Sequence, residues 1–397
     1  MREGKIKVTQ GIMIKPKYQI FMPGCAGTFE EQWSDCFNEF QLFLNTYPNQ
    51  KAFIARVFVG ANSPDEYFSY SKQIGNRLNA TGIPFSVLAE SPESPVLVMI
   101  EAGFVNSADI QIEYGMAGTV RYSKINSPGY NEYWFAGASS GIEGESTSEK
   151  SANAFASLLD AFLKLGIGFN SVFRQWNYVE QIFDFDQVEN RQRQNYQLFN
   201  EIRNEYYSKY LTGPGFPAAT GIGTNLNGVT IECMAVTSDS EVTTVAISNP
   251  KQLNSYKYGQ DVLKGDPQTS CKQNQPPQFE RARLMTNGNG ARLFISGTAS
   301  IVGQETIGLN DVEKQTYVTI ENIGQLVSEK NLRAHCPELA VSPDKYAYVR
   351  VYVKNEEDIP TVKVICENHF GAVPMTFVKA DICRADLLVE IEAEMIS

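Results

Sequence analysis

The chain has 397 residues, a formal net charge of −11 and 43% apolar residues, enough to bury large cores and to build two or three domains of ordinary size. An acidic balance with no basic run excludes a nucleic-acid partner, because gripping a phosphate backbone takes clustered Lys and Arg. No stretch approaches the roughly 20 apolar residues of a membrane span, and MREGKIKVTQGIMIK lacks the apolar centre of a signal peptide, so a cytoplasmic protein without a membrane partner is expected.

In chain order, YQIFMPGCAG reads as a strand ending in small residues, EEQWSDCFNEFQLFLNTY as an amphipathic helix and KAFIARVFVGA as a buried strand. PDEYFSYSKQIGNRLNA follows as a second helix, GIPFSVLAE as a proline-led strand and SPVLVMIEAGFV as a closing strand around Glu101. The order then recurs: YWFAGASSG, EKSANAFASLLDAFLKLG, NSVFRQWNYV, RQNYQLFNEIRNEYYSKY, GFPAATGIG and NGVTIECMAV around Glu232. It recurs again as RLFISGTAS, DVEKQTYVTIENIGQLVSEK, YAYVRVYVKN, IPTVKVICENHFG, AVPMTFVKA and DLLVEIEAEMI around Glu392. A period of this size is a domain period rather than a solenoid period. Three α+β units are therefore expected, over 1–125, 126–250 and 289–397, with 251–288 as a connecting loop. The composition of LNSYKYGQDVLKGDPQTSCKQNQPPQ suits either a loop near a site or a plain linker.

The chemistry-bearing residues are few. Seven cysteines (Cys25, Cys36, Cys233, Cys271, Cys336, Cys366, Cys383) are scattered without CxxC spacing, and the two histidines, His335 and His369, stand alone, so neither a disulfide framework, a metal site nor a histidine triad is expected. No GxSxG, Walker A or HExxH motif is present. The last strand is different. Glu392 matches Glu101 and Glu232 and belongs to a shared scaffold, whereas two residues upstream the three units read Met99, Thr230 and Glu390. Strand alternation puts Glu390 on the same face as Glu392. Two buried carboxylates on one face raise one of the pKa values, which suits a general acid near neutral pH. The plainer alternative is an edge-strand glutamate that faces solvent or pairs with a base. Cys383 alone reads as a small buried hydrophobe.

FISGTASIVGQETIGLNDVEKQTYVTIENIGQLV and the closing IEAEM resemble the RidA/YjgF family, and YWFAGASSG, WNYV and GFPAATGIG do so more weakly. That resemblance implies three RidA/YjgF-like (chorismate-mutase-like) units arranged as a pseudo-trimer in one chain, with pockets between units and a monomer or dimer in solution. RQWNYVEQI, QNYQLFNEIRNEYY, FPAATGIGT, FERA, SGTASIVG and ADICRADLLVEIE, over most of 134–397, resemble more specifically the chorismatases, which split chorismate into pyruvate and a benzoate or dihydrobenzoate. The chorismatase pattern implies Glu390 as the catalytic acid. It also implies that Cys383, which matches the cysteine of the 3-hydroxybenzoate-forming chorismatases, assists breakdown of the ring intermediate. The implied chemistry uses no cofactor and no metal.

Chorismate carries two carboxylates, so the implied partner is a small-molecule carboxylate met by Arg281 of FERA, Arg174 beside WNY, Lys354 where the family usually shows arginine, Tyr258, and Gly297, Thr298 and Ala299 of SGTAS. Gln304 and Gly308 stand where the chorismatase pattern has histidines. Two rivals remain. RidA-type imine deamination needs an arginine where the units show Ser86, Ala219 and Thr376, and is disfavoured. A RidA-like binder without catalysis is the alternative to which the departures from the pattern point.

Overall fold

The computed structural model describes residues 13–108, 110–141, 143–188, 191–213, 215–238, 242–260, 262–263 and 274–397. Cys271, the middle of the expected connecting loop and residues 1–12 of the first expected unit lie outside them.

The first part of the chain forms β1 (Lys17–Phe21), α1 (Phe29–Thr46), β2 (Gln50–Val59), α2 (Pro64–Leu78), β3 (Phe85–Leu88), β4 (Ser91–Pro92) and β5 (Val98–Asn106). Next come β6 (Gln111–Ala117), β7 (Val120–Ser127), β8 (Tyr130–Ser140), α3 (Thr147–Leu165), β9 (Val172–Glu180), β10 (Phe185–Val188), β11 (Arg191–Gln194), α4 (Asn195–Tyr210), β12 (Ala218–Thr224), β13 (Val229–Ser238) and β14 (Thr243–Ile247). The last part holds β15 (Ala282–Thr286), β16 (Ala291–Ala299), β17 (Ile301–Val302), β18 (Glu305–Thr306), α5 (Val312–Val327), α6 (Glu329–His335), β19 (Lys345–Val353), α7 (Ile359–Phe370), β20 (Met375–Lys379), β21 (Asp381–Ile382) and β22 (Val389–Ile396).

Helix starts follow their local chemistry. Thr28 with Glu31 and Ser146 with Glu149 form capping boxes for α1 and α3, satisfying backbone N–H groups that the first turn leaves open. The helix expected to run through residue 330 breaks instead at Ser328, whose hydroxyl accepts from the Asn331 N–H and opens α6.

Three sheets carry the molecule, with strand orders β1-β5-β2-β3, β21-β12-β9-β13-β8-β7-β6 and β14-β15-β16-β22-β19-β20-β4. Each packs its outer face on its own helices. Phe40 and Ile74 of α1 and α2 join the first sheet, Phe155 and Phe199 of α3 and α4 the second, and Ile323 and Val362 of α5 and α7 the third. The inner faces share one further core, in which Phe53, Phe58, Trp134, Trp176, Phe294 and Tyr348 from all three sheets pack together. The expected boundary at 125/126 falls inside β7, because the β6–β7 hairpin extends the second sheet, and β14 pairs into the third sheet. Short strands also cross over: β4 adds to β20 and β21 adds to β12. No helix among the described residues is long and apolar enough to cross a membrane.

Candidate active site

The site starts from the alternation of β22. Val389, Ile391, Ala393 and Met395 face the helices of the third sheet, which turns Glu390, Glu392 and Glu394 together to the inner face, all of them buried. The three carboxylates meet different surroundings. Glu394 accepts from Arg292 Nε (2.7 Å) and the Tyr18 hydroxyl (2.7 Å), and Arg292 also pairs with Glu132.

Glu392 accepts from Arg174 (2.7 Å), Trp176 Nε1 (2.9 Å), Arg350 and the Thr220 hydroxyl. It is one link in a chain of buried ion pairs that runs Glu232–Arg56–Glu101–Arg350–Glu392–Arg174 through all three sheets. The Trp176 ring closes it, lying 4.5 Å from both the Arg56 and the Arg174 guanidinium. Burial pushes the Glu101 carboxyl up, but Arg350 and Arg56 hold it below its ordinary value. The recurrent glutamates are thus scaffold, as their recurrence implies.

Glu390 is different again. No described residue hydrogen-bonds its carboxyl, and it faces a pocket of about 720 Å³, part of it open to solvent, walled by β12, β16, β22 and α4. Burial, then the neighbouring Glu392 charge, raise Glu390 to about 8, only partly offset by Arg174 and Arg281. At neutral pH it is a carboxylic acid. Gly297 makes room for it. A β-bulge between Ile295 and Thr298 lifts this part of β16 out of pairing, and a Cβ at Gly297 would stand 2.8 Å from Glu390 Cδ and closer still to Oε1.

Cys383 lies on the same wall and is pushed up to about 12, first by burial and then by Glu390, against the weaker pull of Arg384 and Arg281. It is a thiol rather than a thiolate. Two arginines face it. Arg281 donates to the Tyr258 hydroxyl (2.6 Å) and to the Leu253 carbonyl, and Arg384 donates to the Gln304 carbonyl (2.7 Å) with its guanidinium 4.9 Å from the centre of the Tyr258 ring. Arg281 Nε and Arg384 Nη2 are buried with no partner among the described residues, so N–H donors stand ready beside the pocket.

Of the residues singled out in the sequence, Glu390, Cys383, Arg281, Tyr258, Gly297 and Ala299 converge on this pocket. Three do not. Arg174 is fully buried in the ion-pair chain, because Glu392 offers it a carboxylate of the protein's own. Lys354 points its ammonium at the Ala385 carbonyl, away from the pocket lining. Thr298 is buried and donates to the Ser296 carbonyl.

Sequence reasoning missed Arg384, although it directly follows Cys383, and missed Tyr196, Gln197 and Asn200 of α4. The signal on α4 was its run of buried polar residues: Gln197 and Asn204 hold the Gln275 and Pro276 carbonyls, which carries Pro277 and Phe279 over the pocket. The described ends of the expected connecting loop therefore border the site. At the position expected to need an arginine for deamination, the strand register sets Ser86 opposite Arg56, Thr220 opposite Trp176 and Thr376 opposite Arg350, so the second unit's equivalent is Thr220, one residue beyond the expected Ala219, and none of the three is arginine.

Residues 107–235 match the family model for the N-terminal part of FkbO/Hyg5-like chorismatases. A 3-hydroxybenzoate synthase of Streptomyces hygroscopicus is 31% identical over 290 residues, spanning 72% of this chain and 78% of the relative. A chorismatase of Streptomyces rapamycinicus is 33% identical over 232 residues, covering 57% of this chain and 64% of its own. The crystal structure of a chorismatase superposes over 96% of this chain and 98% of its own with a TM-score of 0.69 at 22% identity, which shows a common mixed α/β fold. With an acid, a thiol and two arginines converging on one pocket, and with relatives of this likeness and coverage, the chain belongs to the chorismatase family.

Proposed function

We propose that the chain converts chorismate into pyruvate and 3-hydroxybenzoate. The observation that carries this reading is the convergence on one pocket of a neutral buried acid, Glu390, a thiol, Cys383, and two guanidiniums, Arg281 and Arg384. The relatives named 3-hydroxybenzoate synthase and chorismatase support it.

The two arginines match the two carboxylates of chorismate. The atoms of chorismate equal those of pyruvate plus 3-hydroxybenzoate, so the site has only to move protons and break bonds. Glu390 gives its proton to the methylene carbon of the enol ether. The bond from ether oxygen to ring carbon then breaks, its electrons forming the pyruvate carbonyl, while the neighbouring ring hydroxyl closes on that carbon as an arene oxide and returns its proton to Glu390. Opening of the arene oxide and loss of the ring proton give the phenol, and Cys383, held as a thiol, assists at this step.

The same reading takes the three sheets as RidA-like units about a pseudo-threefold axis, supported by the equivalent register pairs Arg56–Glu101, Trp176–Glu232 and Arg350–Glu392. It takes the protein as a cytoplasmic monomer or dimer. Incubation with chorismate followed by chromatography should yield pyruvate and 3-hydroxybenzoate in equal amounts, in EDTA as without it. Chorismate left unconsumed would favour a binder, and a dihydrodiol product would remove the role given to Cys383.

A further inference from the structure

The pocket around Glu390 has a counterpart at the junction of the first and second sheets. Register fixes the equivalence: Glu390 lies opposite Ala299 and Ile391 opposite Thr298, while Thr230 lies opposite Ser139 and Ile231 opposite Ala138, with a register shift following in both cases. Thr230 therefore holds the place of Glu390, Gly137 that of Gly297 and Ser139 that of Ala299. On the facing wall, Ser86 holds the place of Thr220, so that Phe85 and Val87 stand where Ala219 and Gly221 line the first pocket. These counterparts line a solvent-open groove of about 840 Å³. The remaining equivalent, Met99, is buried in the apolar core.

The groove keeps the means of binding but lacks the acid. The Ser86 hydroxyl accepts from the Gly137 N–H (3.0 Å) and the Thr230 hydroxyl from Asn227 Nδ2 (3.0 Å), so both buried oxygens have an acceptor site in use and an O–H left to donate. Arg121 is the one cation among the described lining residues, steadied by Asn79 Oδ1 (2.7 Å) and by the Phe85 ring, and none of those described lining residues is acidic. One guanidinium and two hydroxyl donors suit a single carboxylate. Phe85, Val87 and Phe68 offer an apolar wall to a flat body.

We propose that this groove is a second binding site, which takes a small aromatic monocarboxylate and holds it without turnover. The site stands on its own geometry, and only the choice of 3-hydroxybenzoate as probe rests on the chorismatase reading. Equilibrium dialysis of the full chain against 3-hydroxybenzoate should find two equivalents bound. Arg121→Ala should weaken one of them by about tenfold or more, the loss of a charge-assisted pair, with chorismate turnover and thermal midpoint unchanged. Thr230→Val, which keeps the shape and removes the hydroxyl, should weaken the same equivalent less, and serves if Arg121→Ala fails to fold. Arg281→Ala should remove the other equivalent together with turnover. One equivalent that survives Arg121→Ala and Thr230→Val, or none at all, overturns the proposal. Two equivalents without wild-type turnover would sink the proposed function and leave this site standing. Turnover with a single equivalent that Arg121→Ala leaves intact would do the reverse.

Discussion

Glu392 and Glu390 are neighbours on one face of β22, yet they belong to different kinds of place. At the junction of the three sheets Glu392 is met by two arginines, an indole and a hydroxyl, whereas at the pocket Glu390 is met by no described hydrogen-bond donor. Both lie out of water, and the cost of burying a carboxylate is relieved in opposite ways: by counter-ions in one case, by keeping the proton in the other. A buried charge with partners is architecture. On the proposed function, a buried acid without them is a reagent, able to give up its proton near neutral pH.

The sharpest way to break this contrast is Glu390→Gln, which keeps the shape and removes the proton. Turnover of chorismate should fall by about 10²–10⁴-fold. Stability should move the other way. Because the folded-state pKa of about 8 lies above the ordinary value of 4.5, ionisation favours the unfolded chain as pH rises between those two values, so the thermal midpoint of the variant should gain on the parent over that window and hold its lead above it. Unchanged turnover, or a lead that shrinks with rising pH, would end the assignment.

Glu392→Gln tests the other half. It leaves Arg174 and Arg350 short of a buried counter-charge and should cost about 3–5 kcal/mol in denaturant unfolding, with a smaller effect on turnover per folded molecule. A variant as stable as the parent would mean that the ion-pair chain is dispensable.

Gly297→Ala bears on the geometry between them. The added Cβ must push the Glu390 carboxyl aside, so turnover should drop by up to about 10²-fold, and the alkaline limb of the rate profile, set near pH 8 in the parent by loss of the Glu390 proton, should shift. A lower rate with that limb in place would point to packing damage alone. The smallest effect on consumption is expected from Cys383→Ala, which should move the product away from 3-hydroxybenzoate more than it slows the loss of chorismate. Chromatography of the products at equal conversion decides it, and an unchanged product ratio would free Cys383 of any part in aromatisation.

Much of this was legible in the chain. The three matched strand endings placed Glu101, Glu232 and Glu392 in equivalence, and the register bears that out by setting each opposite Arg56, Trp176 and Arg350. The exception at Glu390 was visible for the same reason. What stayed hidden depends on contacts far along the chain. Nothing local tells whether Arg174 serves a ligand or a glutamate 218 residues away, and the second listener to that glutamate, Trp176, fills a place that the other two repeats give to arginine. Glu394 belongs to the same alternation, but nothing near it in the chain marks its role, because its partner Tyr18 stands 376 residues away. β4 and β21 are two residues each, too short to show any periodicity, yet they tie one sheet's segment into another's edge.

The register equivalents Met99, Thr230 and Glu390 have a consequence for how such a protein can change over time. Were the three places encoded once, as in an assembly of identical subunits, any replacement would appear at every junction together. An acid there would impose its folding penalty three times over. Encoded separately, the three places drift independently: one stays with the apolar core, one keeps a hydroxyl, and one carries the acid. Separate encoding of this sort lets a single junction specialise while its sisters retain the freedom to stabilise the whole.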